Sequence, residues 1–245
     1  MPPTASAVPA LETVPFALPY AGRQLIGERL APATPRRELL ILHGAGQARR
    51  SHHAGLRACL AADGVASTAF DFVGHGETGG ALAGSSLASR VEQASQVAAM
   101  LPDGPLALLG SSMGAYVALR LLERVDCSHL ALVVPGVYTP QAFEVPFGPA
   151  FSALLRQPSS WHDSDAWERL VAFRGHLLIV MAEQDEVIPA EIPQRLLDAA
   201  VNAASRTVHV VPAAPHRLSG FFSEQPVAAD AFHAEMRRLL RREAV

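Results

Sequence analysis

The stretch Leu108-Leu109-Gly110-Ser111-Ser112-Met113-Gly114-Ala115-Tyr116 sets an apolar run against a serine fenced by two glycines, then resumes as an apolar, helix-prone segment. The pattern G-x-S-x-G suits a place where a strand turns abruptly into a helix and holds a serine hydroxyl out into a cleft. An ordinary glycine-rich turn would give the same letters. The choice between the two rests on what surrounds the motif.

Outward from the motif, the chain alternates. Glu38 to Leu42 is a short apolar run ending in His43-Gly44-Ala45-Gly46, followed by helical spacing through Leu56, Ala58, Leu60 and Ala61 up to Asp63-Gly64. Val65 to Phe72 is a second such run, ending in Gly74-His75-Gly76 and leading to a helix from about Ser86 to Met100. Leu106 to Leu109 leads into the motif and a helix to about Arg124. Leu130 to Val134, Leu177 to Met181 and Thr207 to Val211 read as further strands, and a last helix starts near Val227. Apolar runs too continuous for one-sided exposure, separated by helices, predict a mostly parallel sheet covered on both faces. The expected class is α/β, a sheet of about eight strands with one domain over residues 21–245.

Two segments stand apart. Prolines 2, 3, 9, 15 and 19 make residues 1–20 a poor helix, read as a flexible N-terminal arm leading into edge strands. Between Val134 and His176 lie five prolines and aromatics that include Tyr138, Phe143, Phe147, Phe151, Trp161 and Trp167. That is long for a crossover with one helix, so a small cap inserted over about residues 137–172 is expected.

Composition excludes several classes. The 245 residues are 49% hydrophobic, enough for one buried core, and a net charge of −3 with scattered Lys and Arg leaves no footprint for nucleic acid. Two cysteines, Cys59 and Cys127, cannot make a disulfide framework or a Cys-rich metal site. No basic-then-apolar leader opens the chain and no apolar run approaches a membrane span, so a soluble, cytoplasmic protein without membrane insertion is expected. No Gly-rich phosphate loop or metal cluster calls for a cofactor. Composition says nothing of oligomeric state.

In an open parallel sheet, ligands bind at the carboxyl ends of the strands. Here those ends carry Ser112, then Asp185 in Ala182-Glu183-Gln184-Asp185-Glu186-Val187-Ile188-Pro189, then His216 in Pro212-Ala213-Ala214-Pro215-His216. A serine hydroxyl is a weak nucleophile at neutral pH, and His216 is the base expected to take its proton and return it to the leaving group. Asp185 would accept the other ring N–H and fix the tautomer; Glu183 and Glu186 compete for that place. The backbone N–H groups of Ala45 and Met113 are the candidate donors for the developing oxyanion.

The order Ser, Asp, His, with the runs HGAG, DFVGHGET, GSSMGAY and MAEQDEVIP, resembles the α/β-hydrolases from about Leu39 onward. Within them it is most similar to small carboxylesterases of the cinnamoyl-esterase and serine-aminopeptidase-like branch, which includes monoacylglycerol lipases and thioesterases. Ser111 departs from the histidine that many members carry before the nucleophile. The resemblance implies a serine hydrolase acting through an acyl-enzyme on a small-molecule ester or thioester. It also implies that His43 and His75 brace loops, and that the cap sets specificity, with Phe143, Phe147 and Phe151 read as facing the substrate. A pathway thioesterase or acyltransferase shares these features. A non-catalytic ligand-binding protein on the same fold would usually have lost a triad member or an oxyanion glycine, and this chain keeps both.

Overall fold

The computed structural model describes residues 11–244. In the run Arg37–Leu42, β3, successive side chains go to opposite faces, and both faces are buried: Leu40 and Leu42 join one apolar cluster, Leu39 and Ile41 the other. A strand buried on both sides shows no polar face, which is why the run reads as continuously apolar. The same holds for most of β4 (Val65–Phe70), β5 (Leu106–Ser111), β6 (Cys127–Val133) and β7 (His176–Gln184). With β1 (Leu11–Tyr20), β2 (Arg23–Pro32) and β8 (Ser205–Pro215) they form one eight-stranded sheet, in the order β1-β2-β4-β3-β5-β6-β7-β8. Neighbours from β4 to β8 are parallel, and the β1–β2 hairpin joins β4 antiparallel. This is the expected mostly parallel α/β sheet.

One face is covered by α1 (Ala54–Ala62) and α8 (Pro226–Leu240), through Leu56, Leu60, Phe232, Met236 and Leu239. The other is covered by α2 (Leu87–Ala98), α3 (Met113–Leu121) and α6 (Glu191–Ala199), through Val91, Val117 and Leu196. Ser86 starts α2 where the sequence places it, because its side chain accepts from Ser89 N–H at 3.1 Å while the Ser89 hydroxyl accepts from Ser86 N–H at 2.8 Å. A short helix α7 (Leu218–Glu224) precedes α8.

The N-terminal arm ends earlier than the prolines suggest. Residues 11–20 are not an arm but an edge strand, paired with β2 along its whole length; residues 1–10 lie outside the described residues. Pro15 and Pro19 are four apart, so both turn the same edge of the strand, and on an outer edge a missing N–H breaks no ladder bond. The turn to β2 uses Ala21 and Gly22 at φ +45° and +76°, the pair of positive values a tight two-residue hairpin requires.

The long connection after β6 holds a 3₁₀ turn (Pro140–Ala142), α4 (Pro149–Leu155) and α5 (Ala166–Ala172). Its last part is the crossover helix itself: Ala166 and Leu170 are buried in the sheet's apolar cluster, and Asp165 ties α5 to α3 by accepting from the Tyr116 hydroxyl at 2.8 Å and pairing with Arg120. The opposite edge of the sheet is β8, paired on one side with β7; Val208 and Val210 on its outward face are exposed.

The glycines of the motif are fixed by contact rather than by torsion. A Cβ on Gly114 would overlap the Leu42 carbonyl oxygen and come within 2.7 Å of the His43 oxygen, and one on Gly110 would overlap the Gly114 carbonyl. Gly114→Ala is expected to destabilise the fold by about 3 kcal/mol, read as a lowered urea midpoint. Gly55→Ala in α1, whose added Cβ meets its nearest atom at 4.0 Å, is expected to stabilise by up to about 1 kcal/mol.

Candidate active site

Ser112 sits between β5 and α3 at φ +52° and ψ −116°, a conformation residues other than glycine rarely adopt. Backbone bonds to the end of β6, the loop after it and the first turn of α3 hold it there. The Ser112 N–H donates to the Val133 carbonyl at 2.8 Å, and the Ser112 carbonyl accepts from Gly136 N–H at 3.2 Å and Ala115 N–H at 3.0 Å. The result is a sharp elbow that leaves the side chain half-exposed above the sheet.

Sheet register brings the other groups to the same end. Leu42 pairs with Gly110, Ser111 with Val133, Val133 with Val180, and Gln184 with Pro215, so the residues after β3, β5, β7 and β8 meet. The Ser112 hydroxyl lies 3.0 Å from His216 Nε2, and His216 Nδ1 lies 2.9 Å from Asp185 Oδ2 and 3.1 Å from Oδ1. Asp185 can only accept, so Nδ1 carries the proton and Nε2 faces the serine as an acceptor. The acid is held in turn, its Oδ1 accepting from Val187 N–H and Ile188 N–H at 2.9 Å each. Glu183, its rival in the sequence, is exposed and accepts from Ala213 N–H at 2.6 Å instead. That bond steadies the β8 end that carries the histidine.

The loop after β3 lies against the nucleophile. A Cβ on Gly44 would stand 3.2 Å from Ser112 Cβ and 3.1 Å from the Ser111 carbonyl oxygen. His43 is buried behind it, its Nε2 accepting from Phe72 N–H at 3.1 Å and its Nδ1 lying 2.8 Å from the Gly44 carbonyl. The first bond leaves the proton on Nδ1, so His43 donates to Gly44. The following Ala45 is exposed, and neither Ala45 N–H nor Met113 N–H donates a hydrogen bond among the described residues. Asp71 closes the D-x-x-G-H-G loop, accepting from Arg50 N–H at 2.7 Å and Glu77 N–H at 3.0 Å and pairing with the Arg50 guanidinium. Gly76, at φ +44°, is required because a Cβ there would overlap that carboxylate.

Of the three phenylalanines, Phe147 and Phe151 are buried in the main apolar cluster and pack edge to face at 4.9 Å. Phe151 also meets Tyr138, whose hydroxyl lies 3.1 Å from where a Cβ on Gly136 would stand. Phe143 is partly buried beneath the Arg120 guanidinium, 3.7 Å from the ring centre. Phe147 and Phe151 are thus joined to the elbow through Tyr138 and Gly136, while Phe143 leans on α3.

Arg90 is a site residue the motif reading passed over. It is fully buried on α2, with Nη1 3.1 Å from the Gly44 carbonyl, Nη2 3.2 Å from His75 Nε2, and its guanidinium over the rings of Phe72 and Phe147. The spacing Leu87, Arg90, Val91, Ala94 held the signal, since it puts an arginine on the apolar stripe of a helix.

A Ser-His-Asp triad at the carboxyl end of a doubly covered parallel sheet defines an α/β-hydrolase, and the chemistry it supports is that of a serine hydrolase acting on esters or thioesters. Residues 33–162 match the family described as serine aminopeptidase, S33, and the chain belongs to that family. Similar solved structures include an esterase from Pyrococcus furiosus (18% identity, 97% of this chain and 94% of that one, TM-score 0.69). They also include a monoacylglycerol lipase from Paleococcus ferrophilus (18%, 94% and 97%, 0.66) and the thioesterase domain of the curacin biosynthetic pathway (19%, 91% and 99%, 0.65). No curated protein sequence is significantly similar to the chain.

Three buried histidines make the fold acid-sensitive. Burial, with the nearby Arg90 charge, holds His75 down at about 4; burial, with Arg37, holds His129 at about 4; and burial, again with Arg90, keeps His43 well below its ordinary range. Below the unfolded value of 6.5 the unfolded chain takes up protons that the folded chain refuses. Stability is therefore expected to be level with respect to these groups above pH 6.5 and to fall between pH 6.5 and 4, by up to about 1.4 kcal/mol per pH unit for each histidine. Urea midpoints across that range check it, and His129→Gln is expected to flatten the slope.

Proposed function

We propose that the protein is a carboxylic ester hydrolase of the small carboxylesterase branch, acting on oxyesters or thioesters of short to medium apolar or compact aromatic acyl groups. The reading is carried by one observation: a serine hydroxyl in a strained elbow, 3.0 Å from the acceptor nitrogen of a histidine whose other nitrogen is held by a carboxylate. The names of the similar structures, an esterase, a monoacylglycerol lipase and a thioesterase domain, support acyl cleavage. Among the described residues no helix is long and apolar enough to cross a membrane. The free thiols Cys59 and Cys127, the second pushed up to about 12 by burial, agree with a cytoplasmic setting.

In this reading Ser112 Oγ bonds to the acyl carbon as its proton passes to His216 Nε2, and the carbonyl π pair moves onto oxygen. Asp185 stabilises the imidazolium through Nδ1–H. The N–H groups of Ala45 and Met113 donate to the oxyanion, the second from the first turn of α3. The tetrahedral adduct collapses: the carbonyl reforms, the bond to the alcohol or thiol breaks, and His216 gives its proton to that leaving group. Water then repeats the sequence on the acyl-enzyme, releasing the acid and restoring Ser112. Phe143, Phe147 and Phe151 are the proposed walls of the acyl site, within a connection too small to enclose a long lipid chain.

A fluorophosphonate is expected to label Ser112 alone. Ser112→Ala and His216→Ala are expected to lower turnover on the order of 10⁶-fold and Asp185→Asn on the order of 10⁴-fold, with folding intact. Greater damage from Glu183→Gln than from Asp185→Asn would displace the acid. Turnover is expected to fall on acidification, because a protonated His216 cannot accept the serine proton. In a panel of oxyesters and thioesters, each methylene that fits is expected to gain roughly 0.8 kcal/mol up to a cut-off, and Phe147→Ala or Phe151→Ala to move the cut-off to longer chains. A preference for long acyl chains in the unmodified protein would place specificity elsewhere.

A further inference from the structure

Arg90 is fully buried and forms no ion pair with any carboxylate among the described residues. The other fully buried arginine makes the contrast. Arg57 is paired with Glu28 and donates to the Ser67 hydroxyl at 3.1 Å and to the carbonyls of Ser67 and Glu28 at 3.1 and 3.2 Å. Burying a charge without a counterion is costly, and burial pulls Arg90 down to about 10. What the charge receives in return is one backbone carbonyl, a histidine ring and two aromatic faces. Its Nε has no partner. A residue held this way is a poor strut, which raises the question of what its charge acts upon.

The carbonyl is that of Gly44, and it also accepts from His43 Nδ1–H at 2.8 Å. In a trans peptide unit the C=O and the following N–H point in opposite directions within one plane. The N–H that shares this unit is that of Ala45, exposed and donating to nothing else among the described residues. Two donors on the oxygen therefore fix the direction of the amide, and a positive charge on the oxygen side draws electron density from the nitrogen side. In a dry surround that polarisation is weakly screened and makes the N–H a stronger donor.

We propose that Arg90 is a positioning residue for catalysis: through the Gly44 carbonyl it aims and polarises the Ala45 N–H toward the oxyanion formed on attack by Ser112. The proposal rests on Ala45 serving as an oxyanion donor in the reaction given above. His43 shares the aiming but, kept neutral by burial, adds no charge. The buried cation is the electrostatic part of the oxyanion site, acting from behind the backbone, and its effect belongs to the transition state because the ground-state carbonyl carries far less charge.

The test uses Arg90→Met and Arg90→Lys in the full chain, with Arg57→Met as a control for loss of a buried arginine. Substrates are p-nitrophenyl esters. A trifluoromethyl ketone, which forms an oxyanionic adduct with the serine, is compared with the methyl ketone of the same chain length, which does not. Arg90→Met is expected to lower kcat/KM roughly ten- to a hundredfold, less than outright removal of an oxyanion donor. The inhibition constant of the trifluoromethyl ketone should rise by the same factor, with the methyl ketone unchanged. Arg90→Lys, which keeps the charge and folds on a similar volume, should fall between Met and the unmodified chain, and Arg57→Met should lower stability with kcat/KM within about threefold. Loss of kcat/KM with an unchanged trifluoromethyl ketone, or equal weakening of both ketones, would reduce Arg90 to a structural part. Full activity in both Arg90 variants would remove it altogether. If Arg90→Met does not fold, the lysine variant decides by the same ratio. An unmodified chain that turns over no ester and binds neither ketone would overturn the hydrolase reading, and a Ser112→Ala variant that abolishes turnover keeps that failure apart from this one.

Discussion

The site depends on one close approach: the backbone of α3 at Gly114 lies against the carbonyl of Leu42 at the end of β3. Nothing larger than a hydrogen fits between them. That contact sets how near the helix stands to the sheet, and so how sharply the chain must turn at Ser112. It also fixes where His43 and Gly44 leave β3, immediately beside the nucleophile. The positive φ of Ser112 is the local cost of this proximity. The bond from Ser112 N–H to the Val133 carbonyl and those from Ala115 and Gly136 N–H to the Ser112 carbonyl are what keep the turn from relaxing.

What was legible in the sequence follows the same physics. Strands buried on both faces leave uninterrupted apolar runs, so β3 to β7 and their carboxyl ends could be read, and with them Ser112, Asp185 and His216. The G-x-S-x-G and HGAG glycines were legible because steric exclusion leaves no substitute. Harder to read was anything that depended on partners. Pro15 and Pro19 look like strand breakers until the strand is known to lie at an edge. Residues 166–172 look like part of an insertion until Ala166 and Leu170 are seen in the sheet's own cluster, because a short crossover helix and a cap helix have the same apolar spacing. The choice between Asp185 and Glu183 turned on a three-dimensional direction: both follow β7, one faces the ring, and the other reaches back to Ala213. Arg90 was invisible as a site residue because its role lies in whose carbonyl it touches.

Electrostatically, the neighbourhood of the serine divides into two. On the triad side a carboxylate faces the histidine, and the bonds from Val187 and Ile188 N–H saturate it. On the other side an arginine and two neutral histidines, His43 and His75, sit behind the Gly44 loop with no carboxylate among their hydrogen-bond partners in the described residues. Negative charge developing at a bound carbonyl would thus arise between an acid already committed to the imidazole and a cation not committed to any acid. The asymmetry favours charge on the oxygen over charge on the leaving side.

His216 is carried by β8, which has a neighbour on one side only and presents Val208 and Val210 to water. A strand held by a single ladder opens by local fluctuation more readily than the strands inside the sheet. The serine, by contrast, is anchored between β3 and β6 in the interior. The two halves of the catalytic pair therefore belong to regions of unequal cooperativity. Under rising denaturant, amide protons of β8 are therefore expected to exchange before those of β5, and turnover to decay ahead of the loss of secondary structure, the molecule parting with its base while its nucleophile is still folded.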